Sequence, residues 1–188
     1  LIMKKILTIS LLFISLGLFS QEVFYIHTVN IPEENQEHFE NVMTNYVTGL
    51  AQDEIAKGDI KAWYLMKSVP NIGENNPDGT NYLWIHVFDS YEDMTAGNQW
   101  WNNSTEKYGI DPSILYSGFG GTTGGFYYWQ TESAIESNIK AQYLILNFAR
   151  PKDLNAVIEI NQEVEKHFKK NLVKSGMTGW GYATRIAP

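Results

Sequence analysis

The residues of this chain best suited to chemistry are its four histidines, His27, His38, His86 and His167, in a sequence with no cysteine. An imidazole can act near neutral pH as acid, base or axial ligand. Spacing decides which of these roles is open. No two histidines stand at the i, i+4 interval that puts two ligands on one helix face, and there are no thiols, so no metal site is predicted. His86 stands out by its surroundings. It lies in 82-YLWIHVFD-89, where Tyr82, Trp84, His86 and Phe88 alternate with Leu83, Ile85 and Val87. Such alternation marks a strand with two unlike faces. The aliphatic face suits a helix layer, so the aromatic face is expected to point away from the helices, where it suits a flat apolar ligand. His86 is the candidate catalytic residue. Tyr82, Trp84, His86, Phe88, Tyr64 and His27 form the candidate ligand-binding set. The plainer alternative makes Tyr82, Trp84 and Phe88 core residues, with His86 hydrogen-bonded among them.

Other stretches carry less. The run 117-SGFGGTTGGF-126 has no following lysine and no strand feeding a helix, so it is no phosphate loop but a flexible connection, with a lid as the minor alternative. Serine, histidine and aspartate occur without the spacing of a nucleophile elbow. Glu33, Glu34, Glu37 and Glu40 read as a solvated helix face, and His38 and His167 lie on helices among charged residues. Trp100 and Trp101 cannot both face a core from one helix, which hints at an interface or pocket rim. Asn98, Asn102 and Asn103 add polar groups but no catalytic arrangement.

The elements that must position these residues follow from periodicity. Val23 to Ile31 reads as a strand, Pro32 to Ala56 as an amphipathic helix, Lys61 to Val69 as a strand, and residues 71–80, with NNPDG, as a turn. Tyr82 to Asp89 is the third strand. Ser90, with Asp93 three residues on, opens a second helix running to about Tyr108, and Phe126 to Glu132 is a fourth strand. The order strand, helix, strand, strand, helix, strand predicts an α+β fold of ferredoxin-like type. Strands one and three are neighbours in that fold, so His27 and His86 could meet. Alternation leaves open whether Tyr25 and His27 or Phe24 and Ile26 share their face, and whether Trp63 faces helices or pocket.

A second copy of the first half is visible further on. Residues 34–70 align with 152–188 at an offset of 118, pairing Phe39 with Val157, Val42 with Ile160, Tyr46 with Val164 and Leu50 with Phe168. Gly58 falls on Gly176, where a helix C-cap glycine belongs, Tyr64 on Tyr182, and Pro70 on Pro188. A slip of one residue would instead match Trp63 to Trp180. Upstream, VFYIHTVNIP and YLILNFARP align through their prolines. The predicted organisation is a first ferredoxin-like repeat over 21–138 and a second over 139–188, truncated after its second strand.

The stretches 56-AKGDIKAWYLMKSVP-70 and 81-NYLWIHVFDSYEDM-94 resemble the dimeric α+β barrel superfamily, which includes antibiotic-biosynthesis-monooxygenase-like domains, and in particular exported members of Bacteroidetes type. The resemblance implies barrels closed by two ferredoxin-like units, either as a homodimer or within one chain. It also implies activities ranging from haem degradation and cofactor-free oxidation of aromatic substrates to none known. No cofactor is specified.

Composition bounds the rest. Met3, Lys4 and Lys5, an apolar run from Ile6 to Phe19, and Ser20-Gln21-Glu22 have the order of a signal peptide over 3–20, too short to span a membrane. Cleavage after Ser20 suits the change in character there, although cleavage after Gly17 better fits the small-residue rule. Removing Lys4 and Lys5 with this leader leaves 12 basic against 21 acidic residues, a formal charge of −9. Such a surface argues against nucleic acid and anionic lipid as partners. The expectation is an exported protein, periplasmic or extracellular, that binds a small apolar or aromatic molecule. The alternatives are a monooxygenase or haem-binding enzyme, and a structural or interaction module without a ligand.

Overall fold

A computed structural model of the chain describes residues 22–69, 80–96 and 99–187. The predicted leader, the NNPDG turn, Asn98 and the pairing of Pro70 with Pro188 lie outside the described residues. Strand β1 spans Val23–Asn30 and is followed by a continuous helical rod, α1 (Glu33–Val42), a π-helical turn (Met43–Val47) and α2 (Thr48–Lys57). Pro32, which lacks an N–H, precedes the rod, and Gly58 ends it at φ 86°, a left-handed conformation that glycine adopts without penalty. Then come β2 (Ala62–Lys67), β3 (Tyr82–Phe88), α3 (Tyr91–Thr95), α4 (Ser104–Tyr108), β4 (Thr122–Glu136), α5 (Leu154–Asn171) and β5 (Gly179–Ala187). Short 3₁₀ turns at Trp100–Asn103, Pro112–Leu115 and Val173–Ser175 join several of them.

The five strands form one sheet in the order β2-β3-β1-β4-β5, with every neighbouring pair antiparallel. The fold is α+β, and the order β2-β3-β1-β4 is compatible with a ferredoxin-like unit. Among the described residues no helix is long and apolar enough to cross a membrane.

Three local expectations need correction. The second helix is broken into α3, a 3₁₀ turn and α4, the backbone leaving helical geometry at Gln99 (φ −93°, ψ 57°). Ser90 nevertheless caps α3 as its spacing predicts, accepting from the Asp93 N–H at 3.1 Å and donating to the Asp93 carboxylate at 2.6 Å. The glycine-rich run is only partly a loop, since β4 begins at Thr122. Gly124 sits so close to β1 that a Cβ there would overlap Thr28, so its glycine serves strand packing. The stretch 143–150, aligned by sequence with the first strand, is exposed throughout and belongs to no strand among the described residues.

The faces of the sheet are the reverse of the expectation. Val23, Tyr25, His27 and Val29 of β1 lie opposite Phe88, His86, Trp84 and Tyr82 of β3. All of them join the core beneath the helical rod, with Phe39, Met43, Leu50 and Trp100. Leu83, Ile85 and Val87 instead share the other face with Phe24, Ile26, Met66 and Trp129. Alternation reports that two faces differ, not which one is covered. Here the large rings, each able to bury about 150–250 Å², fill the deeper space under the helices. Tyr82 shows the tie directly, its hydroxyl donating to Glu40 of α1 at 2.6 Å. Glu40 therefore leaves the solvated face assigned to it, and Lys67 pairs with it at 2.7 Å.

Candidate functional site

Three adjacent strands lay six rings out as two parallel rows on the helix-covered face. Trp84, His27 and Phe126 form one row across β3, β1 and β4; His86, Tyr25 and Tyr128 form the other. Within the first row His27 stacks on Phe126 at 4.1 Å between centroids and is tilted against Trp84 at 5.0 Å. Within the second, Tyr25 stacks on His86 at 4.4 Å and meets Tyr128 at 5.9 Å. Phe126 lies 5.8 Å from Tyr25, joining the rows. Trp100 covers His86 from the helix layer at 5.9 Å, and Trp63 of β2 packs edge-on against Trp100.

The electrostatics of this grid follow from burial at its centre, while Phe126 at its margin is 44 % exposed. Burial lowers the His86 pKa to about 3, with the nearby His27 contributing, and burial lowers that of His27 to about 4. Burial, with Tyr128 beside it, raises the Tyr25 phenol. At neutral pH both imidazoles and the Tyr25 phenol are uncharged. Three buried nitrogens on this face, His27 Nε2, Trp84 Nε1 and His86 Nδ1, have no hydrogen-bond partner among the described residues. Native proteins satisfy about 90 % or more of such groups, and each unsatisfied one costs about 1–3 kcal/mol. A π-helical turn sits in the rod above the sheet, a feature that recurs at functional sites. The Thr48 hydroxyl donates to the Met43 carbonyl across this turn at 2.9 Å.

A cleft of about 350 Å³ reaches the grid at its β4 end, lined by Tyr91, Met94, Thr95, Tyr128 and Ala187. Another, of about 330 Å³, lies at the end of α5 among Ile135, Phe168, Leu172 and Lys174 and shares no residue with the grid. The first is the one that bears on the rings.

Of the residues singled out from sequence, His27, Trp84 and His86 come together in the grid. Tyr82 and Phe88 flank it, opposite Val29 and Val23. Tyr64 does not join them: it lies on the other face of the sheet and is 47 % exposed. His27 faces Trp84 across the strands rather than His86, which it neighbours diagonally. Phe126 and Tyr128 were not singled out, Tyr25 was left as one of two choices for β1, and Trp100 was noted only as one of a pair. Choosing Tyr25 with His27 as the inward pair of β1 would have found Tyr25; Trp100, 3 % exposed beside the half-buried Trp101, answers which tryptophan faces the core. His38 and His167 are exposed. Among the described residues no three acidic or histidine side chains gather to hold a metal ion.

The neutral imidazoles can accept or donate one hydrogen bond each, and the Trp84 N–H can donate. A porphyrin fits poorly, because His86 is 6 % exposed and enclosed by Tyr25 and the buried Trp100. Comparison with protein-family models and with curated protein sequences finds no match to this chain.

Proposed function

We propose that this chain binds a small apolar or aromatic molecule against the ring grid between sheet and helices, entering by the cleft at Tyr91 and Tyr128. The observation that carries this reading is the set of three partnerless buried nitrogens on one aromatic face. The experiment is a titration with 1-naphthol followed by tryptophan fluorescence, with naphthalene as its apolar counterpart. Saturable quenching, tighter for the hydroxylated probe, is expected; no saturable change with either probe would sink the proposal. A haem titration in parallel is expected to leave the Soret band unshifted.

The chain is further read as an exported protein of the dimeric α+β barrel type, with a second unit after the first. The leader-like residues 3–20 support export. The second unit draws support from a shared helix–glycine–strand pattern, since Gly176 ends the second helical run at φ 75° as Gly58 ends the first at 86°. Trp63 packs on Trp100 and Trp180 on Phe168 of α5, so each tryptophan faces its helical side, which favours the one-residue slip pairing Trp63 with Trp180. The sheet face bearing Ile26, Ile85 and Val87 is the surface by which a homodimer or an intrachain barrel would close. Cofactor-free oxidation of a bound aromatic is the second reading. It is favoured by His27 and His86 remaining neutral, and it is tested by oxygen uptake in the presence of a ligand found by titration.

A further inference from the structure

The cleft at the β4 end of the grid is lined by residues of two kinds. Tyr91, 53 % exposed, and the exposed Thr95 stand at its mouth. Ala187 of β5 lies opposite Tyr128 across the ladder, and its single methyl group leaves room that a larger side chain would fill. Met94 and Tyr128 are the two that reach inward. Met94, 8 % exposed, belongs to the core that also holds Val23, Phe88 and Trp100, and Tyr25 and Tyr128 pack against that core. The boundary between cleft and grid is therefore a thioether on one side and a phenol ring on the other.

These two walls differ in how readily they move. Tyr128 is fixed in the sheet, paired with Tyr25 of β1 and Ala187 of β5, and its ring lies 5.9 Å from that of Tyr25. Met94 projects from α3, which lies against β1 and β3. The backbone of α3 is held at its start, where Ser90 caps it and the Met94 N–H donates to the Ser90 carbonyl at 3.2 Å. The Met94 side chain is unbranched, with three rotatable bonds, a type that repacks easily. Met94 is also the one buried residue of α3, so it alone on that helix stands between cleft and core.

We propose that Met94 is a gate: its side chain closes the inner end of the cleft, swings aside to admit a ligand toward Tyr25 and His86, and sets the width of the molecules that pass. The proposal rests on the reading that a small aromatic molecule reaches the grid by this cleft. A gate changes the barrier to entry and exit alike, so it controls rates and selectivity without adding affinity.

The test is stopped-flow tryptophan fluorescence with 1-naphthol and the wider 1-pyrenol, on wild type, Met94→Ala and Met94→Leu, with equilibrium titrations alongside. Wild type is expected to take up 1-pyrenol at least tenfold more slowly than 1-naphthol. Met94→Ala is expected to bring the two rates within threefold. It should also speed 1-naphthol association and dissociation together at least tenfold, with Kd changing less than threefold. Met94→Leu keeps the volume, a swap that cores tolerate, and carries the test should Met94→Ala fail to fold. With one rotatable bond fewer, it is expected to slow both rates at least threefold at the same Kd. A shifted Kd with association unchanged would make Met94 part of the binding surface, and unaltered rates in the variants would put entry elsewhere. Either result overturns the gate while the grid reading stands. No saturable change with 1-naphthol in wild type would overturn the grid reading, and the gate with it.

Discussion

Tyr25 and His86 lie directly opposite each other on antiparallel β1 and β3, with their rings nearly parallel at 17° and centroids 4.4 Å apart. Each takes water from the other, and Trp100 closes the remaining side of the imidazole. The stack explains why His86 is held uncharged, and it makes the acid stability of the fold a direct readout of the site.

A buried imidazole whose folded pKa lies below its unfolded value near 6.5 binds a proton more readily in the unfolded chain. Its neutral packing is therefore undisturbed above about pH 6.5, and stability falls as pH drops toward about 3 for His86. The loss approaches about 1.4 kcal/mol per pH unit for one such group. Denaturant unfolding at pH 7, 6, 5 and 4 should show this slope, and His86→Phe should flatten it, leaving the smaller share from His27. An unchanged slope in the variant would place the sensitivity elsewhere.

Trp84→Phe keeps an aromatic ring but removes the Nε1–H that has no partner. Stability at pH 7 should hold within about 1 kcal/mol or rise, because an unsatisfied buried donor is costly. Affinity for 1-naphthol should fall about tenfold, the equivalent of one neutral hydrogen bond. Equal affinity in calorimetric titration would remove Trp84 from the binding edge.

Thr95 is exposed at the cleft that reaches Tyr128. Thr95→Trp should slow ligand association at least tenfold in stopped-flow fluorescence while changing stability by less than about 0.5 kcal/mol, as surface changes usually do. An unaltered association rate would mean that entry is by another route.

Gly124→Ala should destabilise the fold by about 1–3 kcal/mol, the usual cost of overpacking, because the new methyl group meets Thr28. Combining it with Thr28→Ala should restore much of the loss. Thermal unfolding of the two single variants and the double variant measures this coupling, and strictly additive effects would contradict the close approach.

Much of the fold is legible in local pattern. The rod from Glu33 to Lys57, its ending at Gly58, the cap at Ser90 and the alternation of β3 all depend on neighbours within a few residues, so they can be read along the chain. The candidate site was legible in part: His27, Trp84 and His86 were singled out and do come together. Phe126 and Tyr128 were missed, and Tyr25 was left open, because they join the grid through cross-strand register, which no single strand encodes.

By itself, the sequence determined the strand and helix order from β1 through β3, the caps at Gly58 and Ser90 and the existence of two unlike faces on β3, since periodicity and propensity are local. Only the tertiary structure decided that the aromatic face lies under the helices, that Tyr64 turns away, and that Tyr143–Phe148 stands unpaired beside β4. These outcomes depend on which apolar surface the helical rod covers. That choice is made by the volume of rings fitting beneath Phe39, Met43 and Trp100, and by Glu40 reaching Tyr82.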